Sequence, residues 1–199
     1  SNEELSLTQG INDPIDMVIR PTYVCDPTVQ VLPKLNQLEV LLQQIKDRAL
    51  RQERTLAIAY TKRDAEDLAS YLRENGVNTT YIHSGVKTHE RSLALQSLQN
   101  GDIDCLVGVN LLREGLDLPQ VSLVAILQAD SEGFLRSETM LLQTIGRAAR
   151  NINGTAILFA DRVTDSMRNC IDITNHRRQM QLDYNAKHGK EMKSAVASS

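Results

Sequence analysis

The chain contains 199 residues, of which 41% are hydrophobic and 24% charged, and its formal net charge is −3. That length and composition are ordinary for a globular protein that buries a core of its own. The charge excludes a basic field over the whole surface, so any contact with nucleic acid must come from a local patch.

The cysteines and the apolar runs exclude two further classes of protein. Cys25, Cys105 and Cys170 are odd in number, far apart and without a second ligand at metal spacing, which argues against a disulfide framework or a zinc site. We therefore expect reduced thiols and a cytoplasmic location. No apolar run approaches the length of a membrane span, and no signal-peptide pattern is visible.

The two ends of the chain differ in character from its middle. Residues 1–14 are polar and contain Gly10 and Pro14, and residues 190–199 are small and polar, so we expect both segments to be flexible. A single domain is predicted between them, over residues 15–189. It begins with a candidate strand at 16–20 and a second extended piece within 22–31.

From Pro33 onward, stretches with helical spacing alternate with continuous apolar runs of strand length. The predicted helices cover residues 33–53, 62–75, 88–100, 138–149 and 165–187. The predicted strands cover residues 55–60, 79–83, 103–109, 121–127 and 155–160. Apolar stripes mark the first and third helices, at Leu35, Leu38, Leu42, Ile45 and Ala49, and at Leu93, Leu95 and Leu98. The alternation predicts an α/β fold with a mostly parallel sheet covered by helices on both faces.

One polar stretch, residues 143–150, contains Gln143, Gly146, Arg147 and Arg150. Arginines three apart on a helix project from one face and can reach one target, and their planar forks suit phosphate oxygens. The glycine and the small residues between the arginines favour close approach to another surface. For the arginine pair alone, a solvated helix face is the simpler interpretation.

A second polar stretch follows a buried predicted strand and surrounds Gly115 with Asn110, Arg113, Glu114 and Asp117. Glycine allows a turn or a close approach that other residues resist. Asparagine and arginine can hold a phosphate, and aspartate can accept hydrogen bonds from sugar hydroxyls. A short helix that ends at Gly115 explains this stretch alone about equally well.

Taken together, the two stretches resemble the second motor half of superfamily 2 helicases, in which such a loop precedes a strand and then Gln-x-x-Gly-Arg-x-x-Arg. Residues 56–68 and 81–91 resemble the first two strand–helix units of that half. Residues 133–138, 164–167 and 184–189 resemble the UvrB family, the damage-verifying subunits of bacterial excision nucleases. The resemblance covers about residues 15–189 and implies a RecA-like P-loop NTPase fold.

The resemblance also implies a nucleotide site shared with another motor half. Arg147 and Arg150 would act as arginine fingers on the γ-phosphate of ATP, which the other half would bind with Mg²⁺, and Gln143 would position that end of the nucleotide. The ribose side would lie near Asp117, supported by Glu114. Two glycines would belong to the same nucleotide site, Gly115 and Gly146.

Contacts to the DNA backbone, without sequence specificity, would come from the other loops. The residues implied are Thr61, Lys62, His83, Ser84, Asn110 and Arg113. The implied partners are DNA, the N-terminal motor half, and the UvrA and UvrC subunits of the excision nuclease. The implied function is ATP-dependent verification of DNA damage in nucleotide excision repair.

Some features depart from that family pattern. Gly85 stands where the family usually has Asp, and residues 23–27 differ from the usual Gly-Leu-Leu-Asp-Pro. The sequence contains no Gly-x4-Gly-Lys-[Ser/Thr] phosphate loop and no Asp-Glu dipeptide that would hold Mg²⁺. We therefore predict that this chain does not hydrolyse ATP by itself.

Two other functions remain as alternatives. The chain could be the C-terminal half of another superfamily 2 helicase, acting on DNA or RNA, although residues 133–138 and 184–189 argue against this. It could also be a binding module that keeps the fold without the motor, although the intact 143–150 stretch weighs against that. We expect Arg177 and Arg178 on a solvated helix face, and Tyr184 packing the last helix onto the body.

Overall fold

The computed structural model describes residues 23–83, 85–111 and 118–192. The predicted flexible segment at 1–14 and the predicted strand at 16–20 lie outside these residues, as does the predicted tail from residue 193 onward.

Strands and helices alternate along the described chain. The strands are β1 (Thr28–Leu32), β2 (Arg54–Ile58), β3 (Thr79–Ile82), β4 (Cys105–Gly108), β5 (Val121–Ile126) and β6 (Thr155–Phe159). The helices are α1 (Gln37–Leu50), α2 (Lys62–Glu74), α3 (Thr88–Asn100), α4 (Glu138–Ile145) and α5 (Asp165–Lys187), and 3₁₀ turns occur at Phe134–Arg136 and Gly146–Ala148. Each helix and strand predicted from Pro33 onward is confirmed in kind, with its ends shifted by a few residues.

All six strands are parallel and pair in the order β1-β6-β5-β2-β4-β3. Successive side chains point to opposite faces of the sheet, so Leu56 and Ile58 enter one core layer while Ala57 and Ala59 enter the other. Helices α1 and α2 cover one face, and α3, α4 and α5 cover the other. Because both faces are buried, the inner strands β2, β4, β5 and β6 appear in the sequence as largely apolar runs, whereas the edge strand β1 is mostly exposed and contains Gln30.

Three sequence predictions about helices need correction. Helix α1 begins at Gln37, after Asn36 in the left-handed conformation, and Leu35 before it is 78% exposed. The predicted stripe is therefore wrong at its first position, and Leu41 is buried instead. Leu93 on α3 is 48% exposed.

The third correction concerns the helix predicted at 138–149. The α-helix ends at Ile145, and residues 146–148 tighten into a 3₁₀ turn. Arg147 therefore lies in that turn and Arg150 just beyond it. The chain must turn here because Gly154 begins the return to β6 only a few residues later.

The three cysteines are buried, and none forms a disulfide with another. Burial raises the pKa of the Cys105 and Cys170 thiols to about 12 in each case. No helix within the described ranges is both long and apolar enough to cross a membrane. Among the same residues, no group of His, Cys, Asp or Glu side chains could hold a metal ion.

Candidate functional site

A cleft of about 360 Å³ lies at the carboxyl ends of β2, β3 and β4. Its lining includes Thr61, Lys62, His83 and Asn110, which are distant in sequence. They come together because parallel strands end at the same edge of the sheet. The two other residues predicted to contact DNA, Ser84 and Arg113, lie outside the described residues.

Helix α2 positions two of these side chains. Thr61 is its N-cap and accepts a hydrogen bond from the Asp64 backbone N–H at 3.1 Å. Lys62 is the first helical residue, and its carbonyl oxygen accepts from the Tyr81 hydroxyl at 3.4 Å. Both Thr61 and Lys62 are exposed. The helix start adds a partial positive charge to the Lys62 cation at this edge.

Arg91 lines the same cleft and was not among the predicted site residues. It is 9% exposed, and it donates from Nη2 to the His83 carbonyl at 2.9 Å and from Nε to the Val86 carbonyl at 3.2 Å. These bonds fix the loop between β3 and α3. A sequence signal existed, since Arg91 lies three and four residues before the buried Ala94 and Leu95.

Gly85 belongs to the same loop and explains one departure from the family pattern. Its N–H donates to His83 Nδ1 at 3.0 Å, and a Cβ at this position would lie 3.0 Å from the imidazole Cε1. The His83 imidazole thus occupies the space that a side chain at residue 85 would fill. An aspartate here would require the His83 ring to move.

A rigid loop borders the cleft on the β5 side. Arg136, which is 3% exposed, lies with its guanidinium carbon 5.3 Å from the centre of the Tyr60 ring. It donates to three backbone carbonyls, those of Leu127 at 2.8 Å, Gln128 at 3.2 Å and Leu135 at 2.9 Å. Burial lowers the pKa of Arg136 to about 10.

The same loop presents a large apolar ring to solvent. The Tyr60 hydroxyl donates to the Glu132 carbonyl at 2.6 Å, which ties the loop to a residue that lines the cleft. Phe134 begins the 3₁₀ turn in this loop and is 72% exposed. The sequence prediction did not include it, although it is one of only two phenylalanines and lies at a strand's carboxyl end.

The predicted nucleotide-sensing residues lie on a different segment. Gln143 is exposed near the end of α4, and Arg147 and Arg150 are half-buried. Arg147 lies within the 3₁₀ turn and Arg150 two residues after its end, so the two arginines are close along the chain. A Cβ on Gly146 would meet nothing within 4 Å, so packing within the chain does not require a glycine there.

One hydrogen bond places that segment relative to the cleft. Asn151, directly after Arg150, donates from Nδ2 to the Pro119 carbonyl at 3.0 Å. The loop that starts at Asn110 in the cleft therefore ends beside the arginines, and it links the two groups of predicted site residues. Three other residues predicted for the nucleotide site, Glu114, Gly115 and Asp117, lie outside the described residues.

Two family models match the chain. One, described as helicase conserved C-terminal domain, matches residues 33–152, and one described as Ultra-violet resistance protein B matches residues 158–196. UvrABC system protein B of Rhodopirellula baltica is 57% identical over 95% of this chain, and that of Synechococcus elongatus is 59% identical over 87%. The chain spans 26% of the length of each of these relatives.

Solved structures share the fold. The C-terminal domain of the DEAD-box protein Dbp5 superposes with a TM-score of 0.54 at 20% identity, covering 79% of this chain and 87% of that one. The E. coli DEAD-box protein SrmB gives 0.55 at 25% identity, covering 69% and 77% respectively. The parallel sheet is therefore that of a RecA-like helicase C-terminal domain. This chain belongs to the helicase conserved C-terminal domain family, and over nearly its whole length it is similar to UvrABC system protein B.

Proposed function

We propose that this chain is the C-terminal motor domain of a UvrB subunit, which verifies DNA damage in nucleotide excision repair at the expense of ATP. The observation that carries the proposal is the 57% identity to UvrABC system protein B over 95% of the chain. The exposure of Gln143 and Gly146, at the end of α4, supports a role of the 143–150 segment at an interface with another motor half. The domain extends over residues 15–189.

The nucleotide site lies between the two halves, and this chain supplies its cationic side. Arg147 and Arg150 neutralise charge on the γ-phosphate, and Gln143 orients that end of the nucleotide. Guanidinium donors fit this task because they stay charged and hydrogen-bond phosphate oxygens in pairs. Gly146 leaves room for the opposing surface, since among the described residues no atom beyond its chain neighbours lies within 4 Å of a Cβ placed there. Asp117, Glu114 and Gly115 complete the ribose side.

ATP with Mg²⁺ is bound mainly by the N-terminal motor half and supplies the phosphoryl group. No phosphate loop occurs in this sequence, so the isolated chain is inactive as an ATPase. UvrA and UvrC act on the complete protein, which works in the cytoplasm.

The DNA site lies in the cleft at the carboxyl edge. Lys62 and Asn110 contact the phosphodiester backbone beside His83, together with Ser84, Arg113 and Thr61. Phe134 extends the site by stacking on a base, since aromatic side chains next to a basic groove bind single strands regardless of sequence. Asn110 lies in this cleft and the Pro119 carbonyl accepts from Asn151 next to Arg150, so a short stretch of chain joins the two proposed sites.

The nucleotide assignment is tested by fusing the chain to a first motor half that carries the phosphate loop. We expect DNA-stimulated ATPase activity in the fusion and none in the chain alone. Arg147→Ala and Arg150→Ala should each lower kcat by roughly 10³-fold or more. Arg177→Ala, on the exposed face of α5, is the matched control. Full activity in both arginine variants would show that neither is an arginine finger.

The DNA assignment is tested with the same fusion and a fluorescent single strand. Phe134→Ala should weaken binding by about fivefold to 100-fold, while Phe134→Tyr should retain it because the ring remains. Lys62→Ala should reduce the slope of log affinity against log salt concentration by about one, because one phosphate contact is lost. If Phe134→Ala and Phe134→Tyr bind equally well, Phe134 does not stack on a base.

A further inference from the structure

A second cleft, also of about 360 Å³, lies at the opposite edge of the sheet, where β1 and β6 begin. Arg48 and Arg51, at the end of α1, line it together with Arg178 of α5. Strands β1 and β6 are five residues each, so about 17 Å of sheet separates this cleft from the carboxyl edge. It is therefore a site separate from the proposed DNA cleft.

The three arginines differ in how their charges are balanced. Arg51 pairs with Asp47 at 3.1 Å and with Glu53 at 3.3 Å. Arg178 is half-buried, and it donates from Nη1 to the Asp26 backbone carbonyl at 3.0 Å. Among the described residues, no carboxylate oxygen lies within 4 Å of the Arg178 guanidinium. The prediction that Arg178 lies on a solvated face is thus wrong, whereas Arg177 is exposed.

Arg48 adds a buried donor that lacks an acceptor. The residue is 8% exposed, and its Nη1 donates to Gln44 Oε1 and lies 3.6 Å from Asp47 Oδ2. Its Nε has no hydrogen-bond partner, which costs free energy in a buried site. Because the only carboxylates paired with these three arginines are those of Asp47 and Glu53 in the described part, the cleft has an excess of positive charge and of donors.

One large apolar side chain stands among the polar residues that line the cleft. Ile152 lines the cleft and is 39% exposed, and Leu50, at the end of α1 next to Arg51, is 86% exposed. A polynucleotide presents a row of phosphates, which requires several cations in line. A single acidic side chain with an apolar neighbour fits the Arg178 guanidinium, which has no paired carboxylate among the described residues, together with Ile152 in the same lining.

We infer that this cleft is a docking site for a protein partner that inserts one aspartate or glutamate side chain against Arg178 and packs an apolar neighbour on Ile152. The carboxylate receives charge-assisted hydrogen bonds from Arg178, and the Asn153 amide beside it is already held by Glu53 at 2.7 Å. The inference does not depend on the roles proposed for the nucleotide and DNA sites.

The test is a titration of the ¹⁵N-labelled chain with the blocked peptide Ac-Gly-Leu-Glu-Leu-Gly-NH₂ and with its glutamine analogue. We expect the glutamate peptide to shift the backbone amides of Asn153, Gly154 and Thr155, with an affinity at least about tenfold above that of the glutamine peptide. Arg178→Gln should reduce that affinity to the level of the glutamine peptide. Arg177→Gln, which removes the same charge from the adjacent exposed residue, should leave it unchanged.

Several results would overturn the inference. They are the absence of shifts at millimolar glutamate peptide, equal binding of the two peptides, and equal losses in Arg178→Gln and Arg177→Gln. Ile152→Ser, which removes the proposed apolar contact, serves as a second variant if Arg178→Gln does not give a folded spectrum, and retention of full affinity in it would then count against the site. Shifts of the same amides by oligo-dT but not by the peptide would assign the cleft to nucleic acid instead.

Discussion

Arginines that look alike in the sequence serve different purposes in the folded chain. Arg136 and Arg91 are buried and bind backbone carbonyls, so they hold loops in place. Arg147 lies in the 3₁₀ turn that follows α4 and Arg150 just beyond it, and both are half-buried. For Arg136 and Arg91, the backbone carbonyls around each guanidinium reveal the structural role, and tertiary contacts supply those acceptors.

Arg136 offers a stability prediction at the residue scale. Arg136→Met leaves three carbonyl oxygens without their donor, so we expect the free energy of unfolding in urea to fall by about 3 kcal/mol or more. The matched control is Arg162→Met, which removes a surface pair with Glu132 at 3.2 Å and should cost less than about 0.5 kcal/mol. Equal losses in the two variants would contradict the structural role of Arg136.

The buried thiols predict a pH dependence. The pKa of Cys105 is raised from 9.0 to about 12 by burial, so the folded state holds a proton that the unfolded state releases. Its contribution to stability is complete below about pH 9 and is lost as pH rises toward 12. Between about pH 8 and pH 10.5, the free energy of unfolding of the native chain should fall by on the order of 2 kcal/mol more than that of the Cys105→Ala variant. Denaturant titrations at both pH values measure these free energies. Equal losses in the native chain and in Cys105→Ala would contradict the prediction.

At the scale of elements, the end of α4 decides where the candidate arginines lie. The helical pattern in the sequence continues to residue 149, but the helix stops at Ile145. A Cβ on Gly154 would collide with the Ala148 carbonyl oxygen and lie 3.1 Å from that of Asn151, so the return to β6 runs very close to the turn. This close packing favours the tighter 3₁₀ geometry.

Two glycines in this region should respond in opposite ways to alanine. Gly154→Ala should destabilise the chain by about 1–3 kcal/mol, because the obstruction is backbone and cannot move aside. Gly146→Ala should be neutral or stabilise by up to about 1 kcal/mol, because its φ of −59° suits alanine and its surroundings are open. Thermal and urea unfolding measure both effects.

The same Gly146→Ala variant separates packing from function. In the fusion with a first motor half, we expect it to lower ATPase activity without loss of stability, because the new methyl group faces the opposing surface. Unchanged activity together with unchanged stability would show that the close approach proposed at Gly146 does not occur.

At the scale of the whole molecule, α5 joins the two ends of the described chain. The rings of Tyr184 and Tyr23 stack with centroids 6.1 Å apart, and Asn185 donates to the Tyr23 carbonyl at 2.9 Å. The prediction that Tyr184 packs the last helix onto the body is therefore confirmed. This contact sets the direction in which the chain enters β1.

Loss of that contact should loosen the beginning of the domain without unfolding its centre. In Tyr184→Ala we expect amide hydrogen exchange at Val24 and Cys25 to accelerate about tenfold, while the amides of the central strand β5 keep their rates. Arg168→Ala, an exposed change on the same helix, should alter neither set. Equal acceleration in β5 would indicate that α5 supports the whole fold rather than its beginning.

The sequence alone determined the class of this protein and most of its elements. Short, continuous apolar runs favour strands buried on both faces, and their alternation with helical stripes predicts a parallel sheet. The Gln-x-x-Gly-Arg-x-x-Arg stretch and the loop at 108–119 indicated the helicase family, because these residue types have recognisable spacings. The roles of Arg147 and Arg150 remain predictions.

Only the tertiary structure decided which polar residues meet. Thr61, His83 and Asn110 share a cleft because three strands end at one edge, and the strand order that brings them there is not written in local periodicity. The contact of Arg178 with Asp26, 152 residues away, likewise has no local signal. Spacing along the chain reports which face of an element a residue occupies, whereas long-range packing decides what lies opposite it.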